Sequence, residues 1–135
     1  MADCKRSILL VDDEERDLVV ISGLLESAGY RVCMADSYTD ALQCVENLTF
    51  CPDLLIADIA LPEVNGIELY RRLSHMMGVW LNVLFISAYS GAEVLKFYGL
   101  PMSDVHFLAK PFSASELMSR VGSLIEKPVP LPLAS

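Results

Sequence analysis

The sequence predicts a doubly wound α/β sandwich of three layers, (βα)5 in plan. Five short apolar runs recur along the 135 residues, and segments with helical periodicity separate them. Alternating β and α units of this length build a parallel sheet with right-handed crossovers and helices on both faces. A sheet covered on both faces also accounts for a hydrophobic fraction of 53% without any apolar run near the ~18 residues that would span a bilayer.

The elements can be justified in order. Ile8-Leu9-Leu10-Val11 is the first strand. Leu18, Ile21, Leu25 and Ala28 then recur at helical spacing, with Gly29 as the stop. Tyr30 to Ala35 reads as a strand. Ser37, with Asp40 three residues on, makes a capping box for a second helix that buries Tyr38, Ala41, Leu42, Val45 and Leu48. Phe50-Cys51-Pro52 ends it, and the third strand runs from Asp53 through Leu54-Leu55-Ile56-Ala57 to Asp58. A loop with Pro62 and Gly66 leads to a third helix on which Leu69, Leu73, Met76 and Met77 share a face, closed by Gly78. Val83-Leu84-Phe85-Ile86 ends at Ser87. Ser90 and Glu93 cap a short fourth helix that Gly99-Leu100-Pro101 breaks. The fifth strand runs from Val105 to Ala109, and Ser113 with Glu116 opens a fifth helix carrying Leu117, Val121, Leu124 and Ile125 inward. One domain over residues 1–127 is expected, with a Pro-rich tail or the start of a linker at 128–135, because Pro128, Pro130 and Pro132 exclude a helix.

A strand order of 2-1-3-4-5 is expected, since it sets the first and third strands side by side at the switch point, outside whose carboxyl ends ligands bind. Asp12, Asp13, Asp58, Ser87 and Lys110 all fall at predicted strand ends. Three clustered carboxylates repel one another unless a cation joins them, and a lone lysine opposite suits an arriving anion. Glycine-rich phosphate loops of either common pattern are absent from the sequence. The net charge of −8 argues against direct nucleic-acid binding. Met1-Ala2-Asp3-Cys4-Lys5-Arg6 lacks the layout of a signal peptide, so a cytoplasmic protein without membrane contact is expected. Cys4, Cys33, Cys44 and Cys51 form no C-x-x-C pair and read as reduced thiols. His75 and His106 lie away from the converging strand ends and read as structural.

These motifs together resemble a response-regulator receiver domain, the phosphorylatable module of two-component signalling. The match runs from Ser7 to about Glu126: Asp12-Asp13, then Asp58-Ile59-Ala60-Leu61-Pro62-Glu63-Val64-Asn65-Gly66, then Ser87-Ala88, then Lys110-Pro111-Phe112. The resemblance implies a flavodoxin-like fold of the CheY type and a regulatory domain that catalyses phosphoryl transfer to its own Asp58 and its own slow dephosphorylation. It further implies that Asp12, Asp13, Asp58 and the Ala60 carbonyl hold Mg²⁺ or Mn²⁺, that Lys110 and Ser87 contact phosphoryl oxygens, and that the Lys110–Pro111 bond is cis. Ser87 and Phe107 would form the switch pair, with Phe107 where tyrosine is frequent. Ala60, Ala88 and Tyr89 would border the approach of water to the phosphoryl group. The implied partners are a sensor histidine kinase or phosphotransfer protein, with an effector domain or a homodimer using the fourth helix, fifth strand and fifth helix, including Leu95, Phe97, Tyr98 and His106. Val105 and His106 replace acids that pair across many such dimers, which weakens that contact.

Three other readings compete. A haloacid-dehalogenase-type aspartyl-phosphate phosphatase needs a second acid where Ala60 stands. A flavodoxin-type electron carrier needs a phosphate-cradling loop where Asp12-Asp13-Glu14 would repel phosphate. A docking scaffold of receiver type would have lost one of the core residues, and none is missing.

Overall fold

The computed structural model describes residues 6–47, 52–88 and 106–126. Its strands are β1 (Ser7–Val11), β2 (Arg31–Ala35), β3 (Leu54–Asp58), β4 (Val83–Ser87) and β5 (His106–Ala109), all parallel, in the order β2-β1-β3-β4-β5 that the sequence predicts. The helices among the described residues are α1 (Glu15–Ser27), α2 (Tyr38–Asn47), α3 (Gly66–Met77) and α4 (Ala114–Ile125), the last being the fifth helix of the sequence reading. The expected helix from Ser90, with Tyr89, Leu95, Phe97, Tyr98 and Val105, lies outside the described residues, as do Cys4, Leu48, Cys51 and the Pro-rich tail.

β1, β3 and β4 are buried at every position. Their apolar runs therefore show no alternation, since each face meets a helix layer. Leu9, Val11, Leu55, Ala57, Val83 and Phe85 pack with α2 and α3, whereas Ile8, Leu10, Leu54, Ile56, Leu84 and Ile86 pack with α1 and α4. The second half-core takes Leu18, Ile21 and Leu25 from α1 and Leu117, Val121, Leu124 and Ile125 from α4. No helix among the described residues is long and apolar enough to cross a membrane.

Helix ends follow local chemistry with two departures. Ser113 and Glu116 form both arms of the expected capping box. At α2 the Ser37 hydroxyl accepts from the Asp40 N–H at 3.2 Å, but the Asp40 carboxylate accepts from Asp36 rather than from Ser37. Gly78 closes α3 with φ at 76°, a left-handed conformation that glycine takes at no steric cost. Ala28, expected on the buried face of α1, is its exposed C-cap.

The buried face of α3 also differs from the expected one. Ile67, Leu69, Tyr70 and Leu73 are buried, while Met76 is 43% exposed. Tyr70 meets Phe85 edge-on at 5.6 Å, and Phe85 in turn lies 5.5 Å from Phe107. This aromatic row centres the helix on Tyr70 and leaves Met76 at the rim. Cys33 and Cys44 are free thiols, half-buried against the α2 half-core. Burial, aided by a hydrogen bond with Cys33, pushes the Cys44 thiol up to about 12.

Candidate functional site

Sheet register assembles the site. Val11 pairs with Ala57, so Asp12 and Asp58 both fall one residue beyond that pair, while Asp58 pairs with Ile86 and Ser87 with Ala109. Backbone bonds carry the alignment past the strands: Asp12 donates to the Ala35 carbonyl at 3.1 Å, Ile59 to Ile86 at 3.1 Å, and Lys110 to Ser87 at 2.9 Å. Residues 98 positions apart in sequence, Asp12 and Lys110, thereby share one strand-end crevice. The Lys110–Pro111 bond is cis, as expected.

Asp12 is fully buried and Asp58 nearly so, whereas Asp13 is exposed. One carboxylate oxygen from each lies within 4.8 Å of the others. Oδ1 of Asp12 accepts from the Glu14 N–H at 2.9 Å, but its Oδ2 is buried without a hydrogen-bond partner. Burial pushes the Asp12 carboxyl up to about 6, and the Glu14 N–H and Lys110 offset only part of that cost. An orphaned buried oxygen beside two further carboxylates fits a hard divalent cation, which takes oxygen ligands and keeps several waters. Ala60 sits exposed at the mouth, its N–H donating to Asp58 Oδ1 at 3.0 Å.

Lys110 is the cationic counterpart. Its Nζ donates to Asp58 Oδ2 at 2.9 Å and to Asp17 Oδ2 at 3.3 Å, and lies 3.5 Å from Asp12 Oδ2. Burial works against the ammonium, yet the hydrogen bond to Asp58 and the nearby acids outweigh it and hold Lys110 above the ordinary lysine range. The Asp58 bond and the nearby Asp12 charge contribute most to securing the lysine, and the Asp17 bond adds to them. Ser87 is buried at the end of β4, Ala88 is exposed beside it, and Phe107 is half-buried on the α2 side of the sheet. His75 is exposed in the last turn of α3, away from this crevice.

Two participants were not legible from sequence patterns. Asp17 stands in the first turn of α1, where an acid ordinarily serves only the helix dipole. Its partner is 93 residues away, so nothing local marks it. Glu63, at φ 63°, accepts from the Thr39 hydroxyl at 3.2 Å and ties the loop carrying Ala60 to the start of α2. The extended sequence signal for that contact is equally absent.

A parallel sheet with clustered acids and a lysine at its strand ends defines a class of doubly wound α/β domains with a charged strand-end site. Comparison with known proteins narrows it: residues 8–122 match the response regulator receiver domain, and the chain belongs to that family. It is 38% identical over 130 residues to a "probable transcriptional regulatory protein" of Picosynechococcus, covering 91% of this chain and 50% of that one. It is 33% identical to the alkaline phosphatase synthesis transcriptional regulatory protein PhoP of Bacillus subtilis, covering 90% of this chain and 49% of that protein. The non-phosphorylated HemR receiver domain of Leptospira biflexa superimposes with a TM-score of 0.76 at 31% identity, covering 94% of this chain and 99% of that domain. The chain spans about half the length of these curated relatives.

Proposed function

We propose that this receiver domain is a phosphorylatable signalling switch whose acceptor is Asp58. The observation that carries the reading is the convergence of Lys110, Asp12 and Asp13 on one buried carboxylate at the end of the central strand. An Asp58 oxygen would attack phosphorus in a phosphohistidine of a sensor kinase or phosphotransfer protein; the P–N bond breaks and the imidazole leaves. A carboxylate becomes an acyl phosphate without further covalent chemistry, so positioning and charge neutralisation do most of the work. Asp12, Asp13, Asp58 and the Ala60 carbonyl would hold Mg²⁺ or Mn²⁺, which would supply positive charge to neutralise the phosphoryl group. Lys110 neutralises one oxygen, and the Ser87 hydroxyl contacts another. As Ser87 moves toward the phosphoryl group it frees space for Phe107, which already packs on Phe85, and the β5 and α4 surface repacks to meet an effector domain or a second copy.

With acetyl phosphate and Mg²⁺, the parent chain should gain one phosphoryl group by intact mass, with amide shift changes at His106, Phe107 and α4. Asp58→Ala should lower incorporation by at least a hundredfold, and Cys51→Ala should leave it intact. Labelling that survives Asp58→Ala means another acceptor.

Signal lifetime follows from access of water to the Asp58–phosphorus bond. Ala60 offers no group to orient a water, and Tyr89 is proposed to cover the other approach. Orientation of an attacking group matters by orders of magnitude. Ala60→Asn with Tyr89→Glu should therefore speed decay of the phosphorylated chain by about tenfold or more; decay at the parent rate removes these two positions from control of the lifetime.

A further inference from the structure

The ammonium of Lys110 has more anionic partners than phosphoryl acceptance requires. Asp58 is the acceptor and Asp12 belongs to the acidic cluster, but Asp17 is part of neither. It reaches in from α1, bonds the same ammonium at 3.3 Å, and is itself 40% exposed. When Asp58 becomes an acyl phosphate, its bond to Lys110 must be exchanged for one to a phosphoryl oxygen. Asp17 competes for that same donor, and it places a negative charge beside an arriving anion.

We infer that Asp17 is a positioning residue that restrains Lys110 in the unphosphorylated site and so sets how readily the switch is charged. The inference rests on the reading of Asp58 as acceptor and deepens it. Asp17 touches no reacting atom and acts through the lysine. Two consequences share one sign. Neutralising Asp17 frees the ammonium for the phosphoryl group, and it removes one repulsive charge from the mouth of the site. Loss of a merely structural contact between α1 and the end of β5 would do the reverse, because a less ordered lysine binds an anion less well.

The test is titration of the full chain with beryllofluoride, a non-transferable phosphoryl mimic, in saturating Mg²⁺, read from backbone and Lys110 Nζ NMR signals. Asp17→Asn and Asp17→Ala should lower the half-saturating concentration about threefold to tenfold, the scale of one unit charge at a half-exposed site. Asp17→Glu should return it toward the parent value, and the Lys110 Nζ signal should shift in the unliganded Asn and Ala variants but not in the Glu variant. Unchanged or weaker binding by the Asn and Ala variants, with the parent binding normally, overturns the inference and leaves Asp58 as acceptor. A parent chain that forms no beryllofluoride complex overturns both.

Discussion

Replacing Asp12 with Asn should shift the stability balance between variant and parent by about 2–3 kcal/mol in favour of the variant between pH 4 and pH 7.5, in protein freed of divalent ions. In the folded chain burial lifts the Asp12 carboxyl from an ordinary 3.8 to about 6. Between those values the folded state binds more protons than the unfolded state, so stability falls as pH rises. The cost is absent below about pH 4, where Asp12 is neutral in both states, and complete above about pH 7. Asn cannot ionise and shows no such window. The pH dependence of the difference between the two proteins removes the groups that do not interact with Asp12, together with any fixed cost of the amide beside Lys110, and leaves Asp12 with the charges coupled to it. Millimolar Mg²⁺ should flatten the parent's slope and raise its melting temperature, since a cation restores the missing counter-charge and binds only the folded state. The variant should respond less. Urea unfolding across this range, with and without Mg²⁺, is the measurement; parallel pH curves for the two proteins would show that burial of Asp12 carries no such cost.

That an acid trio and a lysine would meet, with Ser87 at the end of a neighbouring strand, was legible because a parallel α/β sheet sends all its strand ends to one edge. Once Leu54-Leu55-Ile56-Ala57 is recognised as a strand buried on both faces, Asp58 can only emerge there. Caps were similarly local, since Ser113 and Glu116 specify each other at three residues' separation. What was not legible depends on contacts between elements. The spacing of Leu69, Leu73 and Met76 describes a helical stripe, but only the edge-on seat of Tyr70 on Phe85 fixes which way α3 is turned. Asp17 belongs to the same category: α1 presents it to Lys110 only because α1 and the end of β5 approach the same strand edge. The electrostatic state of Asp12 was half legible. Crowded acids predict a raised carboxyl in general, but which of the three is fully enclosed follows from the register of β1 against β3 and from the bond that turns its Oδ1 toward Glu14.

Gly66→Ala should destabilise the chain by about 3 kcal/mol and weaken Mg²⁺ binding in whatever fraction still folds. The reason lies in how α3 starts. Asn65 caps the helix by accepting from the Glu68 N–H at 2.9 Å, and the Gly66 N–H donates to the Ile59 carbonyl at 2.9 Å. Together these draw the first helical residue against the end of β3. A Cβ at 66 would collide with the carbonyl oxygen of Asp58 and lie 3.0 Å from its carbonyl carbon and from the Ile59 Cα. All three are backbone atoms, so no rotamer change relieves the contact. Either α3 withdraws from the sheet, loosening Ile67 and Tyr70 in the half-core, or the Asp58 peptide shifts and carries the Asp58 carboxylate with it. The first costs packing and the second costs geometry, and both act on the loop that bears Ala60. Ala is otherwise the better helix former, by about 1 kcal/mol, so intrinsic propensity alone gives the opposite sign. Gly122→Ala provides the control: nothing lies within 4 Å of a Cβ there, and within α4 that change should be neutral or slightly stabilising. Urea midpoints and Mg²⁺ titrations of the two variants decide the matter. If Gly66→Ala is as stable as Gly122→Ala and binds Mg²⁺ as the parent does, the close approach of α3 to Asp58 is not what holds that carboxylate in place.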